Sequence, residues 1–295
     1  MNWRGVHPAI TTPFLPDLEI DHEALGRHIE RLLDAGCSAI VPLGSLGEGA
    51  TLSHHEKLAI LTTCRQVAGD RAGIVPGISA LSTREACELA IAADELGCAG
   101  LMVLPPYVYS SDWREMKAHA SAVIAATELP CMLYNNPLAY GADFLPEQIA
   151  ELADEHANLQ AVKESSTDVR RITELRRRLG DRLDVLVGID DVIVEGVAAG
   201  AVGWIAGLVN AFPEDSVRLF EAASQGDATE TEALYRWFLP LLRLDTGHKF
   251  VQKIKRAQQR VGMGSQRVRP PRLELEGAEL AAVDAVIDRA LEAHP

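Results

Sequence analysis

The sequence predicts an α/β architecture, a (β/α)8 TIM barrel followed by a helical C-terminal extension, on three observations. Short, nearly uniformly apolar runs alternate with amphipathic segments as far as residue 206. The amphipathic segments end in glycine just before the next apolar run, as in Leu33-Asp34-Ala35-Gly36, Glu95-Leu96-Gly97 and Ala198-Ala199-Gly200. Glycine takes the left-handed C-cap conformation cheaply, so the chain turns directly into a sheet. The apolar runs carry little alternation, as expected of parallel strands covered on both faces.

Taken in order, the first strand is expected at about 8–12, delivering Thr11 and Thr12, and a helix over 21–36 follows. The second strand, about 38–43, runs into Gly44-Ser45-Leu46-Gly47-Glu48-Gly49. Ser53-His54-His55-Glu56 reads as a capping box opening a helix over 53–69, before a strand at about 73–78. Ser82-Thr83-Arg84-Glu85 opens a helix over 82–97 in the same way, and the strand at about 100–104 delivers Pro105-Pro106-Tyr107-Val108-Tyr109. A helix over 112–127 precedes a strand at about 130–135 that ends in Tyr134-Asn135-Asn136-Pro137. After a helix over 145–156, the strand at about 159–163 ends on Lys163. A helix over 168–180, a strand at about 184–188 with Gly188-Ile189-Asp190-Asp191, a helix over 191–199 and a strand at about 201–206 complete the eight.

Past residue 206 the strands stop, and segments at about 212–226, 229–244, 248–261 and 277–293 read as helices. The expected division is residues 1–210 for the barrel with its site and 211–295 for the helical region. A doubly wound open sheet would want a glycine fingerprint after its first strand, and Thr11-Thr12-Pro13-Phe14 is not one. The glycine-rich run at 44–49 follows the second strand and matches neither dinucleotide nor P-loop spacing.

Composition narrows the functional classes. The 295 residues are 47% apolar, as in an ordinary globular protein, and no apolar run approaches the ~20 residues of a membrane helix. A net charge of -14 argues against a general nucleic-acid binder. The N-terminal Met1-Asn2-Trp3-Arg4-Gly5 leads straight to a strand-like segment without a charged-then-apolar leader, so a cytoplasmic protein is expected. Cys37, Cys64, Cys87, Cys98 and Cys131 are scattered singly in apolar segments, which predicts reduced, packed thiols; no metal and no organic cofactor is expected. The basic residues from Lys249 to Arg272 are expected on a solvated helix face and loop rather than at an anion site.

In a barrel the chemistry gathers where the strands end, because the loops there surround one cavity. A lysine ending an otherwise apolar strand is costly, since desolvation disfavours an ammonium, and an amine so placed is suited to forming a Schiff base with a carbonyl. Strand ends that also bring tyrosines and a serine supply groups to move protons and to hold a carboxylate. Glu48 is expected to brace its loop, Asp190 and Asp191 to cap the following helix, and Tyr109 to pack as an aromatic.

Gly44-Ser45-Leu46-Gly47-Glu48, Tyr134-Asn135-Asn136-Pro137 and Val162-Lys163-Glu164 occur in this order, each at a strand end. With these residues the chain resembles the dihydrodipicolinate synthase/N-acetylneuraminate lyase family of class I aldolase-type lyases, from about Trp3 to the C-terminal helices. The resemblance implies that Lys163 forms the Schiff base with a pyruvate-like 2-oxo acid and that Tyr134 shuttles protons. It implies that Ser45 links Tyr134 to Tyr107, which in this family reaches in from a neighbouring subunit. The Ser45 and Leu46 N–H groups, in the turn with Gly47, would hold the substrate carboxylate, with the Ile205 carbonyl and Gly188 facing the site. It further implies a homo-oligomer, a tetramer built as a dimer of dimers, whose partner is a small-molecule oxo acid.

The sequence departs from the synthases at three places, one being the loop Glu164-Ser165-Ser166-Thr167-Asp168 after Lys163, where they carry a small-residue turn. Leu46 stands where they carry a second hydroxyl residue, and Ala139 stands where an arginine grips the aldehyde partner's carboxylate. The expected reaction is therefore catabolic and on one substrate, a 4-hydroxy-1-pyrroline-2-carboxylate deaminase or a 2-keto-3-deoxy sugar acid dehydratase. The alternatives are 4-hydroxy-tetrahydrodipicolinate synthase, joining pyruvate to aspartate semialdehyde, or another pyruvate aldolase. From other classes come a phosphate-binding barrel enzyme, using the loops around Gly203 and Gly207, and a non-catalytic ligand-binding relative.

Overall fold

The computed structural model describes residues 1–106 and 111–295. Among these, parallel strands run in the order β1 (Gly5–Pro8), β9 (Gly203–Ala206), β8 (Asp184–Val187), β7 (Leu159–Glu164), β6 (Cys131–Asn135), β5 (Leu101–Val103) and β4 (Gly77–Ile78). β2 (Ala39–Ile40) and β3 (Gly73–Ile74) form a second parallel pair. That pair closes the ring: Ser38 N donates to Val6 O at 2.8 Å and Val41 N to Pro8 O at 2.9 Å, while Gly77 N donates to Pro42 O at 2.8 Å. The result is the (β/α)8 barrel with a C-terminal helical part.

Besides β2, which keeps only Ala39–Ile40 of the expected 38–43, two strands differ from the sequence expectation. The first lies at 5–8, with hydrogen bonding continued by Ala9 N to Ala206 O and Ile10 N to Val41 O, because His7 is an interior residue despite its polarity. Its Nε2 lies 3.1 Å from Trp3 O, and burial lowers the imidazole to a pKa of about 4, so the ring packs neutral. The third is split into β3 and β4 around Pro76, which has no N–H to give to a ladder.

The helices follow the sequence closely, with α1 (His22–Asp34), α2 (His54–Ala68) and α3 (Thr83–Glu95) on the first three strands. α4 (Trp113–Ile124) follows β5, α5 (Pro137–Tyr140) is a single turn after β6, and α6 (Pro146–Glu155), α7 (Arg170–Leu179) and α8 (Ile193–Ala198) complete the wall. The Ser53 capping box forms in full. At α3 only half forms, because Ser82 accepts from Glu85 N while its own hydroxyl, not its N–H, meets the Glu85 carboxylate. Gly36, Gly97 and Gly200, the glycines that end helical segments, all have positive φ.

Four helices follow β9: α9 (Pro213–Gln225), α10 (Ala228–Leu242), α11 (Phe250–Arg260) and α12 (Gly277–Glu292). One buried apolar cluster runs from barrel residues such as Trp204 and Leu186 into Phe238 and Ile254 of these helices. The basic residues here are not a solvated face. Lys255 is 2% exposed and pairs with Glu48 at 2.5 Å, Arg256 and Arg260 grip Asp284, and Arg269 meets Glu56 at 2.7 Å. Acids on α12 and the barrel loops absorb them, a pairing that the local sequence does not reveal. All five cysteines are free thiols, and burial raises every one of them.

Candidate active site

Lys163, near the C-terminal end of β7, stands beside Tyr134 of β6 and Leu186 of β8 in the parallel ladders. It is 6% exposed, and its Nζ lies 4.0 Å from the centroid of the Tyr134 ring. Gly188 makes room for it: a Cβ there would fall 2.6 Å from Lys163 Cε and 2.0 Å from Ser165 Oγ. Close approach, rather than backbone conformation, demands a glycine at this position.

The lysine opens into a cavity of about 720 Å³ at the strand C-termini, a volume in the range of small-molecule sites. Six of the expected residues line it: Lys163, Tyr134, Ser45, Leu46, Gly188 and Ile205. Gly47 is not among the lining residues. It sits behind the wall, where a Cβ would lie 2.9 Å from Ile10 O, and its carbonyl accepts the Thr12 hydroxyl at 2.7 Å. Tyr107 and Tyr109 lie outside the described residues.

Around the cavity the loops are tied down by buried polar groups. Glu48, with left-handed φ of 56°, accepts from Lys255 Nζ at 2.5 Å and from Arg269 N at 2.9 Å, holding the Ser45 loop against α11 and the 267–272 loop. Burial lowers Lys255 to about 8 against the opposing pull of Glu48. Thr11, delivered by the first strand, donates to Gln258 Oε1 at 2.8 Å and does not line the cavity. Asn135 spans β6 and β7 by donating to Glu164 at 3.1 Å, and accepts from Phe144 N at 2.9 Å.

Asp190 does not cap the following helix. Its carboxylate reaches the end of β9, accepting from Trp204 Nε1 at 2.9 Å, Gly207 N at 3.1 Å and Leu208 N at 2.7 Å. Burial raises it to about 6 in spite of those donors. Asp191, by contrast, lines the cavity.

Two site residues escaped sequence reasoning. Asp245, in the turn before α11, lines the cavity and has an Oδ1 without a hydrogen-bond partner. Its carboxyl packs on the backbone of Gly207, where a Cβ would lie 2.1 Å from Oδ1. Burial and the charge of Asp190 raise it, and the Lys163 ammonium draws it down. The C-terminal helical region thus supplies a wall of the cavity, through Asp245, Thr246, His248 and Phe250 among others. The polar run Asp245-Thr246-Gly247-His248 between two helical patterns was the available signal.

The second is Tyr140. Its hydroxyl is hydrogen-bonded to Ser45 Oγ, and its ring stands edge-on to Tyr134, centroids 5.7 Å apart. The Tyr134 hydroxyl accepts from Asn136 Nδ2 at 2.9 Å, and no hydrogen bond joins it to Ser45. Only the spacing of Tyr134 and Tyr140 across a one-turn helix could have signalled this pair.

A buried amine beside a phenol, with a hydroxyl on the adjoining wall, can bind a carbonyl covalently and move protons near it. Among the described residues no group of three or more His, Cys, Asp or Glu could hold a metal ion, and no helix is long and apolar enough to cross a membrane.

Comparison with known proteins agrees with this architecture. The model of the dihydrodipicolinate synthetase family matches residues 2–290. A 4-hydroxy-tetrahydrodipicolinate synthase of Methanopyrus kandleri is 34% identical over 268 residues, covering 90% of this chain and 89% of the relative. One from Agrobacterium fabrum is 32% identical over 98% of both chains. A putative dihydrodipicolinate synthetase from Pseudomonas aeruginosa superposes with a TM-score of 0.93 at 32% identity, covering 98% of this chain and 100% of that one. A prophage protein of the same family from E. coli K12, solved in complex with pyruvate, gives a TM-score of 0.92 at 26% identity over 99% of both chains. The chain belongs to the dihydrodipicolinate synthetase family and is, with it, a lyase of the class I aldolase type.

Proposed function

We propose that this family member condenses the Lys163 amine with C2 of a pyruvate-like 2-oxo acid or the equivalent carbon of a cyclic imine. The observation that carries the reading is the Lys163 Nζ, buried at the cavity floor 4.0 Å over the Tyr134 ring. The amine adds to C2 and expels water from a carbonyl, or the ring nitrogen as an amine from a cyclic imine, giving an iminium. A proton then departs from C3, its bonding pair forming C2=C3 while the iminium pair returns to nitrogen. Tyr134 and Ser45 serve the proton transfers, and the N–H groups of the Ser45–Leu46 turn receive the carboxylate. The pyruvate bound by the E. coli relative supports this class of substrate.

Two readings follow the enamine. The cavity wall supports elimination from a single substrate: Leu138 and Ala139 line it where the synthases carry arginine, and no arginine is among the described lining residues. After loss of the C3 proton the C4 hydroxyl leaves as water and hydrolysis of the imine returns Lys163, as a ketodeoxy sugar acid dehydratase requires. With a hydroxypyrroline carboxylate the ring nitrogen, freed as the C5 amine when Lys163 adds to C2, leaves as ammonia once the double bond has shifted to give a C5 imine and water has hydrolysed it. The names of the relatives favour the other reading, addition of the enamine to aspartate semialdehyde as in 4-hydroxy-tetrahydrodipicolinate synthase. Both need the same lysine. A homo-oligomer, a dimer of dimers, belongs to the same proposal.

The test is borohydride trapping with pyruvate and with 4-hydroxy-1-pyrroline-2-carboxylate, read by intact mass and peptide mapping. The expected adduct maps to Lys163, and Lys163→Ala loses both the adduct and about 10³-fold or more of turnover. Full activity in that variant would end the Schiff-base reading. Turnover of pyruvate only when aspartate semialdehyde is added would select the synthase; turnover of the hydroxypyrroline alone would select elimination.

A further inference from the structure

We propose that Asp245 recognises a basic nitrogen on the substrate, the ring nitrogen that a cyclic imine frees on C5, and so selects amine-bearing substrates over oxo acids that carry only oxygen there. The inference deepens the single-substrate reading above and rests on its Schiff base at Lys163. It starts from a polar atom that the fold leaves unsatisfied. Asp245 comes from the turn before α11 and lines the cavity, yet its Oδ1 is shut off from solvent with no hydrogen-bond partner. Its carboxyl leans on the backbone of Gly207 at the end of β9, where a Cβ would fall 2.1 Å from Oδ1, so only glycine lets the acid in. A buried polar atom without a partner costs free energy, and a ligand that meets it recovers that cost.

The charges around Asp245 say which ligand fits. Those acting on it are Asp190 and Asp191 from the loop after β8 and Lys163 from β7. Burial, then the charge of Asp190, holds its carboxyl well above the usual carboxylate range, while Lys163 draws it down. Two charged neighbours on the cavity wall are already engaged: Asp191 has Arg243 at 3.6 Å, and Lys249 pairs with Glu279. Asp245 therefore faces the cavity as a neutral acid with a proton to give. Transimination needs that proton. After Lys163 has added to C2, the bond from C2 to the ring nitrogen breaks and its pair stays on that nitrogen. The ring nitrogen takes the Asp245 proton and becomes a primary amine, while the Lys163 nitrogen pair closes the iminium. The carboxylate left behind accepts a charge-assisted hydrogen bond from the amine. A hydroxyl in that place would not take the proton.

Inhibition of pyruvate methyl-proton exchange in D2O, followed by NMR, measures this preference without a complete reaction. One probe is 1-pyrroline-2-carboxylate, which frees a C5 amine but has no C4 hydroxyl to lose. The others are 2-oxopentanoate and 5-hydroxy-2-oxopentanoate, the same chain without nitrogen. Wild type is expected to bind the pyrroline ~10–100-fold more tightly than either oxo acid. Asp245→Asn keeps the size of the side chain and removes the proton and the charge. It is expected to bring the three compounds within about 3-fold of one another, with pyruvate still trapped by borohydride on Lys163. Equal binding of the three by wild type overturns the proposal without any variant. A preference that survives in Asp245→Asn overturns it too, even where all three compounds bind more weakly, because the acid then only supports the wall. A wild-type enzyme that forms no pyruvate adduct on Lys163 overturns the Schiff-base reading itself, and the proposal with it.

Discussion

His28 shows at the scale of one residue how the fold constrains protonation. Its Nε2 donates to Asn210 Oδ1 at 2.8 Å, its Nδ1 is buried without a partner, and burial lowers its pKa from 6.5 to about 4. Between those values the unfolded chain binds a proton that the folded chain refuses, so this group's contribution to stability is complete above pH 6.5 and falls away as pH drops towards 4. The loss amounts to roughly 3 kcal/mol over the window. His7 has the same sign; Asp190, raised to about 6, and Asp245, raised by burial, have the opposite one. The wild-type profile is their sum, and the difference between wild type and His28→Gln isolates the imidazole. Urea denaturation from pH 7 to 4.5 should show the variant losing less stability than wild type. Parallel profiles would mean that His28 accepts its proton in the folded state. Lys163 and Tyr134 were legible in the sequence because each lies one residue from the end of its strand. His7 and His28 were not, since a buried histidine and a surface one look alike until a hydrogen bond and its burial are known.

Among the elements, α5 is the shortest helix and sets the geometry of two tyrosines. Gly141 has open space around it, so alanine there meets only the strain of positive φ, about 1 kcal/mol. Gly141→Ala is therefore expected to lower stability by about 1 kcal/mol and, by shifting the Tyr140 ring that stands edge-on to Tyr134, to slow exchange of the pyruvate methyl protons in D2O, followed by NMR, several-fold. Gly226→Ala at the end of α9, also left-handed at φ 76° and in open space, should show a similar stability loss with unchanged exchange, as denaturation and NMR together would reveal. Equal exchange in the two variants would separate the turn from the chemistry. The helices were readable from caps and periodicity, and so were most strands. The split at Pro76 and the early start of β1 were not, because ladder partners, rather than the apolar pattern, decide where a strand begins. The G-S-L-G-E loop was readable as a loop, yet its anchor on Lys255 lies 207 residues further along the chain.

For the whole molecule the expectation is a homo-oligomer. Light scattering should return a multiple of the 31.9 kDa chain mass, and a value of one chain would set the dimer of dimers aside. The tertiary structure also changes how the C-terminal helices are understood. They are more than a covering layer, because Asp245 and His248 form part of the cavity and Lys255 anchors the loop that carries Ser45.

The sequence by itself determined the barrel, the order of its elements and the lysine, serine and tyrosine at its strand ends. Those are properties of local pattern: apolar period, caps, turns and residue type at a strand terminus. Tertiary structure alone decided the partners. It gave Ser45 to Tyr140, Tyr134 to Asn136, Glu48 to Lys255 and Asp190 to the end of β9. Buried polar groups must find hydrogen bonds wherever the packed chain offers them, and for Glu48 and Asp190 that place is distant in sequence.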